Sequence, residues 1–247
     1  MSKRVVILGA LSAVAIAVAR RYAAAGASLA LAARRADELE VLAADLRARG
    51  AANVATFAID LALAPDPAAS FEQISAALGG VDVVVLAYGA LTDQDRAFTD
   101  LAYVRDQIGV NFTSAALWSL AAATRLEAQD SGALVVIGSV AGDRGRQSNF
   151  VYGAAKAGLA TLVQGLAHRL AASKARAVIV KPGFIDTPMT AHLPKGGPLW
   201  AKPDAIAGVI VKAAEGGGPV VYAPWFWRFI LLIIRLVPAP IFHKTKL

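Results

Sequence analysis

The chain of 247 residues contains no cysteine and is poor in charged residues, histidine and methionine. Without cysteine it has no disulfide framework, no thiolate metal site and no cysteine nucleophile. Charged residues make up 17% of the chain, whereas an average soluble domain has roughly 25%. Because 57% of the residues are hydrophobic, the composition excludes a disordered chain and predicts one domain with a large core.

The composition also limits which partners the chain is expected to bind. His168, His192 and His243 are far apart in the sequence, so no metal site is expected. The formal net charge is +7, but the basic residues are scattered among acidic residues over most of the chain and form no nucleic-acid-binding motif. We therefore expect no nucleic acid partner. The lack of cysteine fits a reducing compartment, and the expected location is cytoplasmic.

The amino terminus has two interpretations. Lys3 and Arg4 precede an apolar run over residues 5–19, as in a signal peptide. A strand over residues 5–8 that ends at Gly9, followed by a helix that ends before Gly26, explains the same residues. We prefer the second interpretation, which starts a strand–turn–helix unit.

Short apolar runs alternate with helical segments along the whole chain. The predicted strands are residues 5–8, 28–33, 54–59, 81–87, 133–137 and 177–180, and the predicted helices are residues 14–25, 36–49, 70–78, 101–129, 152–172 and 203–215. Most of the runs lack period-2 alternation, which is typical of parallel strands covered on both faces. The predicted fold is α/β: a single-domain, doubly wound, Rossmann-like parallel sheet over residues 1–224, with a C-terminal apolar helical extension over residues 225–247. Residues 182–203 are rich in glycine and proline, so they are predicted to form an irregular, mobile loop, and this loop is a candidate substrate lid.

The turn after the first strand, residues 9–15 (GALSAVA), is a candidate pyrophosphate site. In a doubly wound sheet this turn directs backbone N–H groups and a helix N-terminus at the ligand, so Gly9, Ser12 and Val14 are predicted cofactor contacts. Ala13 and Ala15 stand where a glycine-rich turn would have two more glycines. The alternative is an alanine-rich turn without a ligand.

Two arginines follow the second strand, at the position where chains that bind NAD carry an acid for the ribose hydroxyls. Arg34 and Arg35 would instead attract a 2′-phosphate, which favours NADP over NAD. The alternative is a solvated pair at the start of a helix. Asp60 and Leu61, after the third strand, are predicted to border the adenine.

Tyr152 and Lys156 are four residues apart on a predicted helix, so their side chains share one face. A neighbouring ammonium stabilises a phenolate and is expected to lower the pKa of the tyrosine. Ser139 follows the strand at residues 133–137, at the sheet edge where ligands bind, and its hydroxyl can hold a carbonyl oxygen. A surface pair of tyrosine and lysine is the alternative.

With these residues the chain resembles the short-chain dehydrogenase/reductase family over nearly its whole length. The resemblance implies that Ser139, Tyr152, Lys156 and Asn111 are catalytic. It implies further cofactor contacts, and these are Tyr152, Lys156, Ala87, Gly89, Pro182, Gly183, Ile185 and Thr187. Two departures concern cofactor affinity: Ala13 and Ala15 in the phosphate turn, and residues 86–89 (LAYG) where the family usually has N-N-A-G.

A narrower resemblance links residues 148–153, 189–193 and 241–244 to reductases of keto-sugars carried on polyprenyl phosphates. It implies an NADPH-dependent reductase of a lipid-linked ketone. Alternatives are a 3-oxoacyl or sterol ketone reductase, and a catalytically idle dinucleotide sensor or scaffold. In the loop at residues 143–146 (DRGR), Arg144 or Arg146 is predicted to contact the substrate's phosphate, with a solvated loop as the alternative.

Residues 225–237 form an intensely apolar segment that contains Arg228 and Arg235. This segment is too short to span a bilayer, which needs about 20 apolar residues. Because no carboxylate follows Glu215, whereas Arg228, Arg235, Lys244 and Lys246 do, we expect a helix at an anionic membrane surface, peripheral to the inner face of the cytoplasmic membrane. Packing in a homo-oligomer interface or over the substrate cleft is the alternative. A homo-oligomer is expected.

Overall fold

The computed structural model describes residues 2–245, so Lys246 of the predicted basic terminus lies outside the described residues. The strands are β1 (Arg4–Leu8), β2 (Ser28–Ala33), β3 (Asn53–Ala58), β4 (Val83–Leu86), β5 (Ala133–Ile137), β6 (Arg176–Pro182), β7 (Phe184–Ile185), β8 (Trp200–Ala201) and β9 (Val220–Ala223). A seven-stranded parallel sheet has the order β3-β2-β1-β4-β5-β6-β9. The order reverses between β1 and β4, which confirms the doubly wound fold.

The helices cover both faces of this sheet. They are α1 (Ala13–Ala24), α2 (Ala36–Ala48), α3 (Pro67–Ala76), α4 (Gln94–Thr99), α5 (Leu101–Ile108), α6 (Ala115–Ala128), α7 (Phe150–Leu170), α8 (Pro203–Glu215), α9 (Trp227–Leu236) and α10 (Ala239–Phe242). The cores alternate along each strand: Val5 and Ile7 face α1 and α8, whereas Val6 and Leu8 face α6 and α7. This two-sided burial explains why the strands lack period-2 alternation.

The structure corrects three sequence predictions. The single helix predicted over residues 101–129 is interrupted by a π-helical turn at Gly109–Ser114. The prediction missed β9, because a four-residue strand behind three glycines gives a weak signal. Residues 182–203 are not irregular throughout, since β7 pairs with β8 and a short 3-10 turn lies at Pro188–Thr190.

The C-terminal segment packs back onto the sheet domain. Trp227 and Leu231 on α9 are buried, with 5% and 2% of their surface exposed, and they form a small core with Val140. Within residues 2–245, no helix is both long and apolar enough to cross a membrane.

Candidate active site

The predicted site residues gather at one edge of the sheet because the parallel strands end in register. Leu8 is paired with Leu86, Leu86 with Val136, and Ile137 with Val180. The residues that immediately follow these strands therefore lie side by side at the carboxyl ends. In a doubly wound sheet this edge is where ligands bind.

Ser139 begins a 3-10 turn at Val140–Asp143, and its hydroxyl oxygen accepts a hydrogen bond from the Ala141 N–H at 3.0 Å. The turn packs directly on the first turns of α7. A Cβ atom added at Gly153 would lie 2.9 Å from the Ala141 carbonyl oxygen, and one added at Gly142 would lie 2.7 Å from the Ala157 nitrogen. These two glycines allow the serine turn to approach the helix that carries Tyr152.

Tyr152 and Lys156 occupy one face of α7. Lys156 has 3% of its surface exposed, its Nζ donates to the Ile137 carbonyl at 3.2 Å, and this Nζ lies 5.8 Å from the centre of the Tyr152 ring. Burial lowers the pKa of Lys156 to about 8. Burial also raises the pKa of Tyr152, and a hydrogen bond with Ser139 offsets only part of that effect. The predicted lowering of the tyrosine pKa is thus wrong in direction for this structure, because burial dominates.

Asn111 lies in the π-helical turn and is 1% exposed. Its Nδ2 donates to the carbonyls of Ala90 and Gln107 at 2.9 and 3.0 Å, and its Oδ1 accepts from the Ala90 N–H at 3.0 Å. A Cβ atom at Gly89 would lie 2.8 Å from Asn111 Oδ1 and 3.4 Å from Lys156 Nζ. Asn111, Gly89 and Lys156 therefore meet at one point, and the Asn111 side chain holds the chain after β4.

The candidate phosphate turn is tight at Gly9, whose φ is +84°. A Cβ atom there would lie 2.6 Å from Tyr88 Cβ, so only glycine fits. Ser12 caps α1 by accepting from the Ala15 N–H at 3.2 Å. Ala15 is fully buried in the core, whereas Ala13 is partly exposed at the turn. Of the two alanines that stand where a glycine-rich turn would have glycine, only Ala13 places its methyl group at the surface of the turn.

The two arginines after β2 have different environments. Arg34 is exposed and makes no hydrogen bond or ion pair within residues 2–245, whereas Arg35 forms an ion pair with Glu38. Of these two arginines, only Arg34 has a guanidinium group without a partner in the described chain. After β3, Asp60 accepts a hydrogen bond from the Ala62 N–H at 2.9 Å and closes a local turn.

A hydrogen-bonded chain that the sequence prediction missed supports this side of the site. The Tyr88 hydroxyl lies 2.6 Å from Ser114 Oγ, and the Leu61 carbonyl accepts from Ser114 Oγ at 2.6 Å and from Trp118 Nε1 at 2.9 Å. The chain joins β4 to the π-helical turn and to the loop after β3. The signal in the sequence was Tyr88 itself, in the departure from the family's usual N-N-A-G.

The loop after β6 lies under the C-terminal helix. Gly183 donates to the Ala223 carbonyl at 3.1 Å, and a Cβ atom on it would collide with the Trp227 indole. Phe184 stacks on Trp200 at 5.3 Å and meets Trp227 edge-on at 5.7 Å. Pro182 ends β6 in the core layer. This packing places α9 directly against one wall of the site.

Two threonines shape the end of that loop. Thr190 Oγ1 donates to the Ile185 carbonyl at 2.6 Å, and it lies 3.4 Å from Thr187 Oγ1. Ile185 and Thr187 are thereby held beside each other, next to Gly183. These contacts order the start of the segment that the sequence marked as a candidate lid.

The two arginines of the loop at residues 143–146, Arg144 and Arg146, have different environments in the structure. Arg144 donates to the carbonyls of Ile234 and Val237, the latter at 2.8 Å, and lies over the Phe242 ring. It therefore caps the carboxyl end of α9, where unpaired carbonyls and the helix dipole favour a cation. This position differs from the predicted phosphate contact.

Arg146 is half-buried, and its Nε has no hydrogen-bond partner within residues 2–245. Burial lowers the pKa of Arg146. Asn149 Oδ1 and Gln94 Nε2 are also buried and unpaired in the described chain, and Gln94 Oε1 accepts from the Val151 N–H at 3.1 Å. Buried polar atoms normally have partners, and these three have none in the described chain.

The short chain dehydrogenase family model matches residues 3–197, so the chain belongs to the short-chain dehydrogenase/reductase family of oxidoreductases. An uncharacterized oxidoreductase of Mycobacterium tuberculosis is 39% identical over 245 residues, which cover 97% of this chain and 96% of the relative. A 3-oxoacyl-(acyl-carrier-protein) reductase of Bos taurus is 34% identical over 193 residues, with 78% of this chain and 80% of the relative covered.

A solved structure with the same fold is a short chain dehydrogenase from Burkholderia cenocepacia J2315 in complex with NADP. Its TM-score is 0.82 at 18% identity, and the match covers 98% of this chain and 97% of that chain. The family and the fold expected from the sequence are confirmed.

Proposed function

We propose that the protein is an NADPH-dependent reductase of a ketone, and that the ketone is lipid-linked. The observation that carries the proposal is the meeting of three groups at the sheet edge: the Ser139 hydroxyl, the Tyr152 phenol and the buried Lys156 ammonium. Membership of the oxidoreductase family supports the same chemistry.

The residues present fit a dinucleotide. The tight turn at Gly9 leads into the N-terminus of α1, where the Ser12 hydroxyl and the first helical N–H groups, Val14 among them, would bind a pyrophosphate. Arg34, exposed and unpaired in the described chain, would bind the 2′-phosphate, which favours NADPH, and Asp60 and Leu61, which follow the adjacent strand, would border the adenine. Pro182, Gly183, Ile185 and Thr187 after β6, together with Ala87 and Gly89 after β4, would hold the nicotinamide. When bound, NADPH supplies the hydride for the carbonyl carbon.

Side chains of the protein donate the proton and orient the ketone. Ser139 donates a hydrogen bond to the ketone oxygen, and Tyr152, kept protonated by its burial, gives its proton to that oxygen. The Lys156 ammonium stabilises the resulting phenolate. Asn111 holds residue 90 and so fixes the backbone beside Lys156. Positioned proton transfer of this kind typically contributes about 10²- to 10⁴-fold to the rate.

For the substrate we propose a keto-sugar on a polyprenyl phosphate. The resemblance of residues 148–153, 189–193 and 241–244 to decaprenylphosphoryl-2-keto-erythro-pentose reductase supports this class. The unpaired atoms of Arg146, Asn149 and Gln94 add support, because a sugar phosphate offers hydroxyl and phosphate partners to such groups. Between the two loop arginines, Arg146 is the proposed phosphate contact.

A 3-oxoacyl substrate is the second candidate, and the 34% identity to a 3-oxoacyl reductase favours it. NADPH oxidation by the purified protein separates the candidates when it is measured with a polyprenyl-phosphate keto-sugar, a 3-oxoacyl thioester and a steroid ketone. We expect the highest kcat/KM with the keto-sugar. Faster turnover of the thioester would transfer the assignment to the second candidate, and no NADPH oxidation with any ketone would indicate a sensor or scaffold.

We also propose that α9 contacts the inner surface of the cytoplasmic membrane. Its buried face packs on the domain, while its opposite face exposes the apolar side chains of Phe229, Leu232, Ile233 and Leu236, and Trp225 is exposed just before the helix. A helix that is apolar on two opposite faces has a partner on each. Because no acid follows Glu215, the partner proposed for the outer face is an anionic lipid surface.

Vesicle flotation tests this contact without removing the helix, since deleting α9 would uncover Gly183 and Arg144. Replacing Phe229 and Ile233 by glutamine is expected to release the protein from anionic vesicles, because both side chains are exposed and make the outer face apolar. The matched control is Val41→Gln with Leu63→Gln, on other exposed surfaces. If the native protein floats with no vesicle composition, the membrane contact is rejected.

The proposed homo-oligomer would use the outer face of α5 and α6. Leu101, Ile108, Leu117 and Leu120 are exposed there, and several of them line an open cavity of about 560 Å³. An apolar surface of this kind is typical of a contact between protein subunits.

A further inference from the structure

A second cavity, of about 350 Å³, lies between α7, β9 and α9, away from the catalytic groups. Its lining combines three basic side chains with polar and apolar residues, and these are Lys181, Arg228, Arg235, Gln164, Tyr222, Pro219 and Val220. Neither the hydride-transfer site nor the proposed nicotinamide loop uses any of these side chains.

The charges in this basic cavity are not balanced. Lys181 donates to Asp143 Oδ1 at 2.5 Å, and the Tyr222 hydroxyl donates to Asp143 Oδ2 at 2.7 Å, so the single carboxylate there is fully engaged. Arg228 and Arg235 form no ion pair or hydrogen bond within residues 2–245. Two positive charges are left over in the cavity after Asp143 neutralises Lys181.

The guanidinium groups of Arg228 and Arg235 both affect the Tyr222 hydroxyl. Burial and Asp143 raise the pKa of Tyr222, and the positive charges of Arg235 and Arg228 oppose that rise. Two arginines close to one hydroxyl, with the Gln164 amide on the facing helix, offer donors around a shared centre. Arginine forks match the oxygen geometry of a phosphate ester.

The position of the arginines on α9 indicates where this phosphate would come from. Arg228 and Arg235 are two helical turns apart, on a flank between the buried face with Trp227 and Leu231 and the exposed apolar face. In a helix that lies in a lipid surface, basic residues on the flank reach the level of the lipid phosphates while the apolar face meets the acyl chains. The cavity and the apolar outer face are therefore adjacent parts of one surface.

We propose that the basic cavity binds the phosphate of an anionic phospholipid whose acyl chains contact the outer face of α9. This inference rests on the membrane contact proposed above and adds to it a specific headgroup site formed by Arg228, Arg235 and Gln164. Binding here would seat α9, and with it the Trp227 side of the active site, at the lipid surface.

The experiment compares three proteins by flotation with vesicles of phosphatidylcholine alone or with phosphatidylglycerol added. The test variant is Arg228→Gln/Arg235→Gln. The control is Lys202→Gln/Lys212→Gln, which removes the same charge. Lys202 immediately precedes α8 and Lys212 lies in its last turn; both are exposed, and neither forms an ion pair within the described chain. We expect the test variant to lose about 10-fold or more of its phosphatidylglycerol-dependent partitioning, and the control to lose less than about 3-fold. Equal losses would show a general charge effect and overturn the headgroup site.

A second measurement separates failure of the cavity from failure of the membrane contact. Binding of monomeric dihexanoyl phosphatidylglycerol and of inorganic phosphate is measured by calorimetry for the same proteins, after circular dichroism has established that each is folded. Saturable binding of the short lipid that the test variant loses supports the cavity, even if the native protein does not float. Equally tight binding of inorganic phosphate, or unchanged lipid binding in the test variant, would overturn the assignment to a phospholipid.

Discussion

At the scale of single residues, burial shifts the pKa values of Tyr152 and Lys156 in opposite directions. It raises the pKa of the phenol, which stays a proton donor, and it lowers the pKa of the ammonium to about 8, close to neutral pH. An acid that remains protonated beside a cation that titrates near neutrality is suited to reduction of a ketone.

The first prediction concerns pH. Because the Lys156 charge is present below its pKa of about 8, kcat/KM for ketone reduction should fall as the pH rises through 8. The cause is loss of the positive charge that stabilises the Tyr152 phenolate. Initial rates between pH 6 and 10 check this, with Lys156→Met as the control. A wild-type profile that stays flat across pH 8 would contradict the role of the lysine.

The second prediction separates Arg34 from Arg35. Arg34→Ala should raise the KM for NADPH about 10- to 100-fold and leave that for NADH nearly unchanged, since only NADPH carries the 2′-phosphate. Arg35→Ala is the matched control, because its guanidinium is paired with Glu38. Equal effects of Arg34→Ala on both cofactors would reject its assignment to the 2′-phosphate.

The local chemistry of the site could be predicted where it depends on spacing along the chain. Tyr152, Lys156 and Ser139 are brought together by helix periodicity and by the position of the strand before Ser139. The partner of Arg144 could not be predicted, since the carbonyls of Ile234 and Val237 are about 90 residues away in the chain. The net direction of the tyrosine pKa also depends on burial, which a spacing does not give.

At the scale of elements, the sheet was predictable and two local features were not. Apolar runs separated by helical segments fix a parallel sheet, because each run must be covered on both faces. The π-helical turn at Gly109–Ser114 inserts into a segment whose composition is helical throughout, and its reason is tertiary: it turns the Asn111 amide onto the backbone at Ala90. Contact of α9 with Gly183 likewise depends on the fold.

The third prediction belongs to α9. Arg144→Ala removes the donor to two carbonyls at the end of this helix, so amide hydrogen exchange over residues 227–237 should accelerate about 10-fold or more. Hydrogen-exchange mass spectrometry measures this, and exchange in α2 serves as an internal reference. Arg146→Ala, which removes a neighbouring arginine without such contacts, should leave α9 unchanged. Unchanged exchange in Arg144→Ala would mean that the cap does not hold the helix.

At the scale of the whole molecule, the excess of apolar residues is distributed over more than the core. The mean hydropathy is +0.53, and the two layers beside the sheet account for only part of the hydrophobic residues. Among the exposed large apolar side chains, one group lies on α5 and α6 and another on the outer face of α9, while others, such as Val41 and Leu63, are scattered over other surfaces. The composition indicates an excess of apolar residues, but only the structure shows that exposed apolar side chains form two separate surfaces.

The fourth prediction follows from the α5 and α6 surface. Leu101→Asp combined with Leu117→Asp should convert the proposed homo-oligomer to a monomer, because both side chains are exposed on that face and charges there oppose apolar association. Light scattering after gel filtration gives the mass directly. Val41→Asp, an exposed apolar position on α2, should leave the mass unchanged. A monomeric wild-type protein would refute the oligomer.

The most direct test of the proposed function is NADPH oxidation by Tyr152→Phe, measured with a lipid-linked keto-sugar beside the wild-type protein. The substitution keeps the ring and removes the proton donor, so kcat should fall at least about 100-fold while the Kd for NADPH, measured by fluorescence, stays within about 2-fold. Turnover near the wild-type rate, or a loss explained entirely by weaker NADPH binding, would contradict the assignment of Tyr152 as the acid that completes ketone reduction.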